Sequence, residues 1–230
     1  MNDQPGAEEQ ATDGAGLAHE MADIAQRTQR LVADFAARQA ALGPIGNVDP
    51  LNVSSAFLEM TRQMMMNPAA LVEAQFALWQ DYIELWRSTG QRMLGQEAAS
   101  AILPDKGDRR FIHPDWEENE LFNFVKQSYL LSARWVQSLV GNVEGLDEKT
   151  AQKVTFYTRQ FVDALSPSNF VLTNPEVLRT TIETHGENLV RGTKNLLDDL
   201  ERGRGVLSIR MTDDTSFEVG GNLANTPGKV

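Results

Sequence analysis

Apolar residues recur with helical spacing in the segment that begins at Leu17 and ends at Phe35. Together with Thr28 they are separated by four, three, four, three and four residues, which is typical of the narrow a/d stripe of a coiled-coil helix. Such a stripe leaves an apolar seam that needs a partner. We therefore predict a partner interface on this helix, formed by Leu17, Met21, Ile24, Leu31 and Phe35.

A wider apolar face is predicted for the helix that follows Asn67 and Pro68. Asparagine favours the N-cap and proline the first helical position, so this helix should begin at Pro68 and continue to about residue 94. Its two tryptophans, Trp79 and Trp86, are added to the predicted partner interface. Packing into the protein core is the ordinary role of such side chains, and it is the alternative explanation for both.

The segment 95–112 combines proline, glycine and both signs of charge, and we predict that it is a linker. Helical patterns resume after it: one helix starts near Pro114, and another has Asp147 as its N-cap. A third runs from Pro175 to about Arg202. This last helix is expected to bury one apolar stripe: Leu178, Ile182, His185, Leu189, Leu196 and Leu200.

The spacing changes from helical to alternating only after Gly205. Residues 206–211 and 216–220 flank a polar turn, and this pattern predicts a β-hairpin. A two-stranded hairpin is marginally stable on its own, so it should belong to a larger sheet. The predicted organisation is a disordered tail, amphipathic helices for partner contact, a linker, a helical domain and a hairpin, in the order 1–16, 17–94, 95–112, 113–203 and 204–230.

Composition argues against several kinds of chemistry. The chain has no cysteine, which excludes disulfides, thiolate metal sites and a cysteine nucleophile. Its net charge of -11 argues against a broad nucleic-acid surface. The sequence has neither an apolar leader nor a run of about 18 apolar residues, so a cytoplasmic protein is expected. The three histidines lie far apart, and no hydrolase or nucleotide-binding motif occurs, so we predict no catalytic, cofactor-binding or metal-binding residue.

Long runs of the sequence resemble the N-terminal region of class I polyhydroxyalkanoate synthases, the enzymes that make poly(3-hydroxybutyrate). The resemblance covers roughly residues 108–230, and residues 49–94 resemble the upstream part of that family. The runs that carry it are DRRFIHPDWEENELFNFVKQSYLLSARWVQSLV, GLDEKTAQKVTFYTRQFVDALSPSNFVLTNPEVLR, GENLVRGTKNLLDDLERG and IRMTDDTSFEVGGNLANTPGKV.

The resemblance implies a non-catalytic function. Family members polymerise 3-hydroxyacyl-CoA with an α/β-hydrolase domain, whose cysteine nucleophile acts with an aspartate and a histidine further along the chain. No residue here matches those positions. We therefore expect a mainly α-helical module that is inactive alone, with a hairpin that would be the start of the missing hydrolase sheet. Its expected roles are dimerisation, contact with the catalytic domain and attachment to the polymer granule or its coat proteins, with no cofactor.

Two other functions stay open at this point. A free-standing granule-associated helical interaction protein would explain the amphipathic helices, although such a protein needs no strands. An acyltransferase that uses Ser166 or Ser168 with His185 would need a strained nucleophile turn, for which the sequence has no signature.

Overall fold

The computed structural model describes residues 6–42, 51–204 and 207–209, together with residues 216, 218 and 221. This part of the chain is mainly helical, which confirms the predicted helical class, and it contains no strand. The hairpin predicted over 206–220 falls largely outside the described residues and stays a prediction. The helices are α1 (Gly6–Leu42), α2 (Val53–Met66), α3 (Pro68–Met93), α4 (Asp115–Glu118), α5 (Glu120–Gly141), α6 (Glu148–Ala164), α7 (Pro175–Glu183) and α8 (Glu187–Arg202).

The chain divides into two compact units, which are described separately. The first unit combines Met1–Gly46 with Thr184–Val230, and the second is Asn47–Glu183. In the second unit α3 packs along α5, and α6 packs against both α2 and α5. Each of these amphipathic helices can bury its apolar stripe only against another helix, which explains the layered bundle.

Two apolar clusters form the core of the second unit. The larger is built around Leu85 of α3, Trp116 of α4 and Leu131 of α5, all of which are buried. The rings of Phe111 and Trp116 meet edge to face at 5.0 Å, a favourable geometry for aromatic pairs. The smaller cluster joins α2, α5 and α6 through Ala56, Met60, Val140 and Val154.

The segment predicted as a linker contributes to the larger cluster. Ile102 and Phe111 of this segment are both buried there. The amide of Ile102 donates a hydrogen bond of 3.3 Å to the side-chain oxygen of Gln127 on α5. Residues 95–112 thus carry two core residues although their composition is that of an exposed loop.

Two helices predicted as continuous are each interrupted. Asn119 separates α4 from α5, because its side chain accepts a hydrogen bond from the amide of Leu121 at 3.0 Å and so caps a new helix. His185 and Gly186 separate α7 from α8, since both have positive φ angles, 49° and 92°. Glycine adopts this left-handed conformation at little cost, which allows α7 to end before it and α8 to begin after it.

The break between α7 and α8 changes which residues are buried. The predicted stripe is wrong at Ile182 of α7, which is exposed, and in α8, where Leu189 and Leu196 are exposed whereas Val190 and Leu197, one position later, are buried. His185 is exposed as well. Helix α8 starts anew at Glu187 and packs on α1, so its buried face is set by that contact and cannot be extrapolated from a pattern that starts at Pro175.

The first unit contains α1 and α8, which pack against each other. Helix α1 begins at Gly6, upstream of Leu17 where the apolar pattern starts. The guanidinium of Arg27 holds α8 through both carboxylate oxygens of Glu201, each at 2.8 Å. Lys194 of α8 forms an ion pair of 2.9 Å with Glu20 of α1. Paired charges therefore fix the position of α8 along α1.

Candidate interaction surface

Helix α3 has two apolar faces. The inner face packs on α5: Leu85 is fully buried, and the hydroxyl of Tyr82 lies 2.9 Å from the hydroxyl of Ser132. The outer face carries five large side chains that are between 55% and 66% exposed. We call this outer row the α3 stripe, and it consists of Val72, Phe76, Trp79, Ile83 and Trp86.

The α3 stripe follows the spacing of a coiled-coil seam. Successive members are four, three, four and three residues apart, and Gly90 and Met93 continue the same rhythm. Met93 is also exposed. A Cβ atom added to Gly90 would meet nothing within 4 Å, so this position faces open space. The seam is therefore continuous from Val72 to Met93 on the described surface of the second unit.

One flank of the α3 stripe is polar and open. Glu73, Gln80 and Arg87 each follow a stripe residue by one position, and all three are exposed. Their seven-residue spacing places them in one row beside the seam. Within the chain, Arg87 pairs with Glu84 one turn earlier, with its Nε 2.9 Å from Oε2. The opposite flank turns toward the core.

Polar contacts to α5 hold α3 in this orientation. The indole Nε1 of Trp135 donates a hydrogen bond of 3.0 Å to the carbonyl of Ala74 near the start of α3. Near its end, Nε of Arg92 donates to Glu120 at 3.1 Å. The helix is thus fastened at both ends with its inner face on α5, and the α3 stripe is left outward.

The predicted interface residues fall into two groups. Trp79 and Trp86 lie in the α3 stripe and are more than half exposed, although the ring of Trp86 also contacts that of Phe124 on α5 at 4.9 Å. On α1, Met21 is exposed, while Ile24 and Leu31 are half-buried. Leu17 and Phe35 belong to α1 by backbone, but their side chains lie outside the described part of the chain. The two groups belong to different units, and their role as partner contacts stays a prediction.

A groove of about 720 Å³ lies between α2, α3 and α5 on the inner side of α3. Methionine, leucine, alanine and Trp135 form its walls. Three carboxylates, those of Glu73, Asp81 and Glu144, line it together with one cation, Arg134. This excess of negative charge opposes a polyanionic ligand such as a phosphorylated cofactor.

The two serines considered for acyl transfer lie within hydrogen-bond distance of each other. Ser166 is fully buried, and its hydroxyl lies 2.8 Å from the hydroxyl of Ser168, inside the short 3-10 turn after α6. His185 lies at the break between α7 and α8 and is exposed. Ser166 and Ser168 belong to the second unit and His185 to the first. Among the described residues, no three His, Asp or Glu side chains are grouped so that they could hold a metal ion.

A buried polar network was not anticipated from the sequence. Lys126 of α5 is fully buried, and its ammonium is paired with a carboxylate oxygen of Glu117 on α4. Asn123, one turn earlier, donates to the other oxygen of Glu117 at 2.9 Å and to the carbonyl of Trp116 at 3.0 Å. Gln127 accepts from Ile102, as described above. The sequence signal for this network is the helical spacing of the polar residues Asn123, Lys126 and Gln127 on one face of α5.

Arg110 forms a second polar cluster at the edge of the core. Its guanidinium binds Asp108 at 2.9 Å, Asp163 of α6 at 2.9 Å and the hydroxyl of Tyr129 at 2.8 Å. The side-chain hydrogen bond from Arg110 holds the pKa of Asp108 below its usual value. Burial raises the pKa of Tyr129. These contacts tie the segment before α4 to α5 and α6.

Comparison with known proteins identifies relatives of the chain. Residues 107–230 match the family described as Poly-beta-hydroxybutyrate polymerase (PhaC) N-terminus. The chain is 45% identical to a poly(3-hydroxyalkanoate) polymerase from Methylorubrum extorquens, over 84% of this chain and 33% of the relative. It is 35% identical to a poly(3-hydroxyalkanoate) polymerase subunit PhaC from Rhizobium meliloti (strain 1021), over 95% of this chain and 36% of the relative.

A third relative is the corresponding subunit from Cupriavidus necator, which is 40% identical over 71% of this chain and 26% of the relative. The chain therefore spans about a third of the length of the curated relatives it matches. No solved structure matches it.

Proposed function

Because the chain belongs to the Poly-beta-hydroxybutyrate polymerase (PhaC) N-terminus family, we propose that it is a non-catalytic part of a polyhydroxyalkanoate polymerase. In this function it supports dimerisation of the polymerase, contacts the catalytic domain and associates with the polymer granule in the cytoplasm. The acyltransferase that it serves joins 3-hydroxyacyl groups from CoA thioesters into a polyester.

The absence of cysteine supports the non-catalytic part of the proposal. Polymerisation through an acyl-thioester intermediate needs a thiolate nucleophile, and the chain has no cysteine. The carboxylates that line the groove beside α3 disfavour the phosphates of CoA as well. Purified chain should therefore release no CoA from 3-hydroxybutyryl-CoA, and release in proportion to its concentration would refute this part.

The α3 stripe is the single observation that carries the proposed dimerisation. Large contiguous apolar surfaces on soluble proteins mark interaction sites, and this one consists of five adjacent side chains that are each more than half exposed. Its seam-like spacing fits a partner helix better than an irregular surface. None of the helices in the described part of the chain has the length and apolar character needed to cross a membrane.

Light scattering of the purified chain tests the dimerisation. The chain has a mass of 25.5 kDa, and at micromolar concentration we expect a particle of twice that mass. A mass that stays at 25.5 kDa up to the highest soluble concentration would contradict the proposed dimerisation. The family membership would stand in either case, because it does not depend on the oligomeric state.

A further inference from the structure

We propose that the α3 stripe pairs with α3 of a second copy of this chain, and that the two helices run antiparallel. This inference rests on the proposed dimerisation and adds the surface, the direction and the register. It follows from three features of α3: the sizes of the stripe residues, the charges on the open flank, and the area that the stripe presents.

The sizes of the stripe residues favour the antiparallel direction. Two helices related by a two-fold axis near Asp81 bring each stripe residue against a different residue of the partner, so that the glycine faces a valine and the bulky side chains fill the centre of the seam. A parallel pair would place each tryptophan against its own copy and Gly90 against Gly90, which leaves a gap. The facing pairs in the antiparallel register are Val72 with Gly90, Phe76 with Trp86, and Trp79 with Ile83, each occurring twice.

Gly90 fits this register and is not required by the fold of the single chain. It lies inside α3, where glycine costs stability relative to alanine, and its φ angle is not in the left-handed region. The space outward from its Cα is open. In the antiparallel pair this space receives Val72 of the second copy, so a missing side chain allows the backbones to approach there.

The open flank is charge-complementary only in the antiparallel direction. Residues in the row Glu73, Gln80 and Arg87 meet the same row of an antiparallel partner, because equivalent flanking positions face each other in such pairs. Glu73 then faces Arg87 of the second copy, twice, and Gln80 faces Gln80. In a parallel pair this row would face the opposite flank, where Gln75, Tyr82 and Thr89 offer no opposite charge.

The area of the α3 stripe suits a dimer of this kind. From Val72 to Met93 the seam is roughly 30 Å long, at about 1.5 Å per residue. Its half-exposed aromatic and aliphatic side chains present on the order of 500 Å² of apolar surface, so two copies would bury about 1,000 Å², the lower limit for a specific interface. With the flanking row added, the helix supplies enough surface for a specific homodimer.

Charge reversal tests the pairing of the flanks. Glu73→Arg places two cations opposite each other at both ends of the interface, and Arg87→Glu places two anions there. Each change should raise the dimer dissociation constant about tenfold, since each alters two ion pairs at once. The double variant restores opposite charges and should return to the affinity of the unmodified chain. Glu97→Arg makes the same charge change outside α3 and should leave the affinity unchanged.

Cysteine cross-linking tests the direction, because the chain has no thiol of its own. With an added oxidant, Gln80→Cys should form a disulfide-linked dimer with itself. Glu73→Cys alone should not, whereas a mixture of Glu73→Cys and Arg87→Cys chains should form the mixed dimer. These three outcomes together are specific to the antiparallel register.

The outcomes separate this inference from the proposed function. Glu73→Cys that cross-links to itself would overturn the antiparallel register. A dimer that survives in the double variant Trp79→Asp and Trp86→Asp would overturn the stripe as its interface while dimerisation stands. An unmodified chain that is monomeric at all concentrations would overturn both.

Discussion

Single residues inside the second unit hold its helices together through charge as well as apolar contact. Lys126 is the clearest case, because its ammonium is buried and its counter-charge, Glu117, lies on another helix and is about half exposed. A buried cation is stable only while it is paired, since desolvation of a lone charge is costly. The pair therefore fastens α4 to α5.

Glu117→Gln should destabilise the chain. The substitution keeps the shape of the side chain but removes the negative charge beside Lys126, so we expect the free energy of unfolding to fall by about 1–3 kcal/mol. Urea denaturation followed by circular dichroism measures this change. Glu118→Gln makes the same change at the neighbouring exposed position and should cost less than about 0.5 kcal/mol. Equal stability of the two variants would contradict the structural role of the pair.

Asp108 makes stability depend on pH. Its pKa in the folded chain is lowered, chiefly by the side-chain hydrogen bond from Arg110, so the unfolded chain binds a proton more readily. The stabilisation is therefore present above the unfolded pKa of about 3.9 and is lost as pH falls through the lower folded value. We expect the stability difference between the unmodified chain and Asp108→Asn to shrink steadily below about pH 4. A difference that is constant from pH 7 to pH 3 would contradict this assignment.

At the scale of elements, the positions of most helices follow from caps and spacing. Asn67 with Pro68 correctly predicts the start of α3, and Asp147 that of α6, where its side chain accepts from the amide of Thr150 at 3.1 Å. The sequence does not distinguish the outer face of α3 from its inner face, because both are apolar and the spacing does not indicate which face packs on α5. The core role of Ile102 could not be predicted either, because a single apolar residue in a loop has no periodicity.

The breaks inside two predicted helices could not be predicted from the sequence either. Asn119 and His185 sit within patterns that continue as helices on both sides, and only a local cap or a positive φ angle reveals the interruption. Asn119 was a possible signal for the first break, because asparagine favours the N-cap of a helix. Gly186 was a possible signal for the second, although an isolated glycine is often tolerated in a helix.

Gly90 on α3 provides a prediction at this scale. In the single chain, Gly90→Ala fills open space and reduces the conformational freedom of the unfolded state, so at concentrations low enough to keep the chain monomeric the free energy of unfolding should rise by about 0.5–1 kcal/mol. Gly192→Ala on α8 is a matched control, since that glycine also lies inside a helix and faces open space. Chemical denaturation of both variants at that low concentration checks the expectation, and a loss of stability in Gly90→Ala alone would contradict the open space at Gly90.

Helix α1 provides a second prediction at the scale of elements. Ile24→Asp places a charge in the predicted seam and should weaken association with polymer granules or a partner, measured by granule co-sedimentation. Ala25→Asp adds the same charge at the adjacent exposed position and should change association less. Circular dichroism of both variants verifies that the helix persists. Equal co-sedimentation of Ile24→Asp and the unmodified chain would count against the proposed role of α1.

At the scale of the whole molecule, the chain is a helical member of a polymerase family that spans about a third of its relatives' length. Family membership was predictable from long runs of sequence. The α3 stripe was only partly predictable from the sequence. Trp79 and Trp86 were named as interface residues, but their alignment with Val72, Phe76 and Ile83 on one exposed row required the position of α5.

The most direct measurement is the molar mass of the unmodified chain beside that of the double variant Trp79→Asp and Trp86→Asp, by light scattering at matched concentrations. Both tryptophans are more than half exposed, but Trp86 also contacts Phe124 of α5, so circular dichroism must first show that the variant keeps the helical content of the unmodified chain. We expect the unmodified chain at twice 25.5 kDa and the variant at 25.5 kDa. The same mass for both proteins, whether single or double, would contradict the assignment of the α3 stripe as the dimer interface.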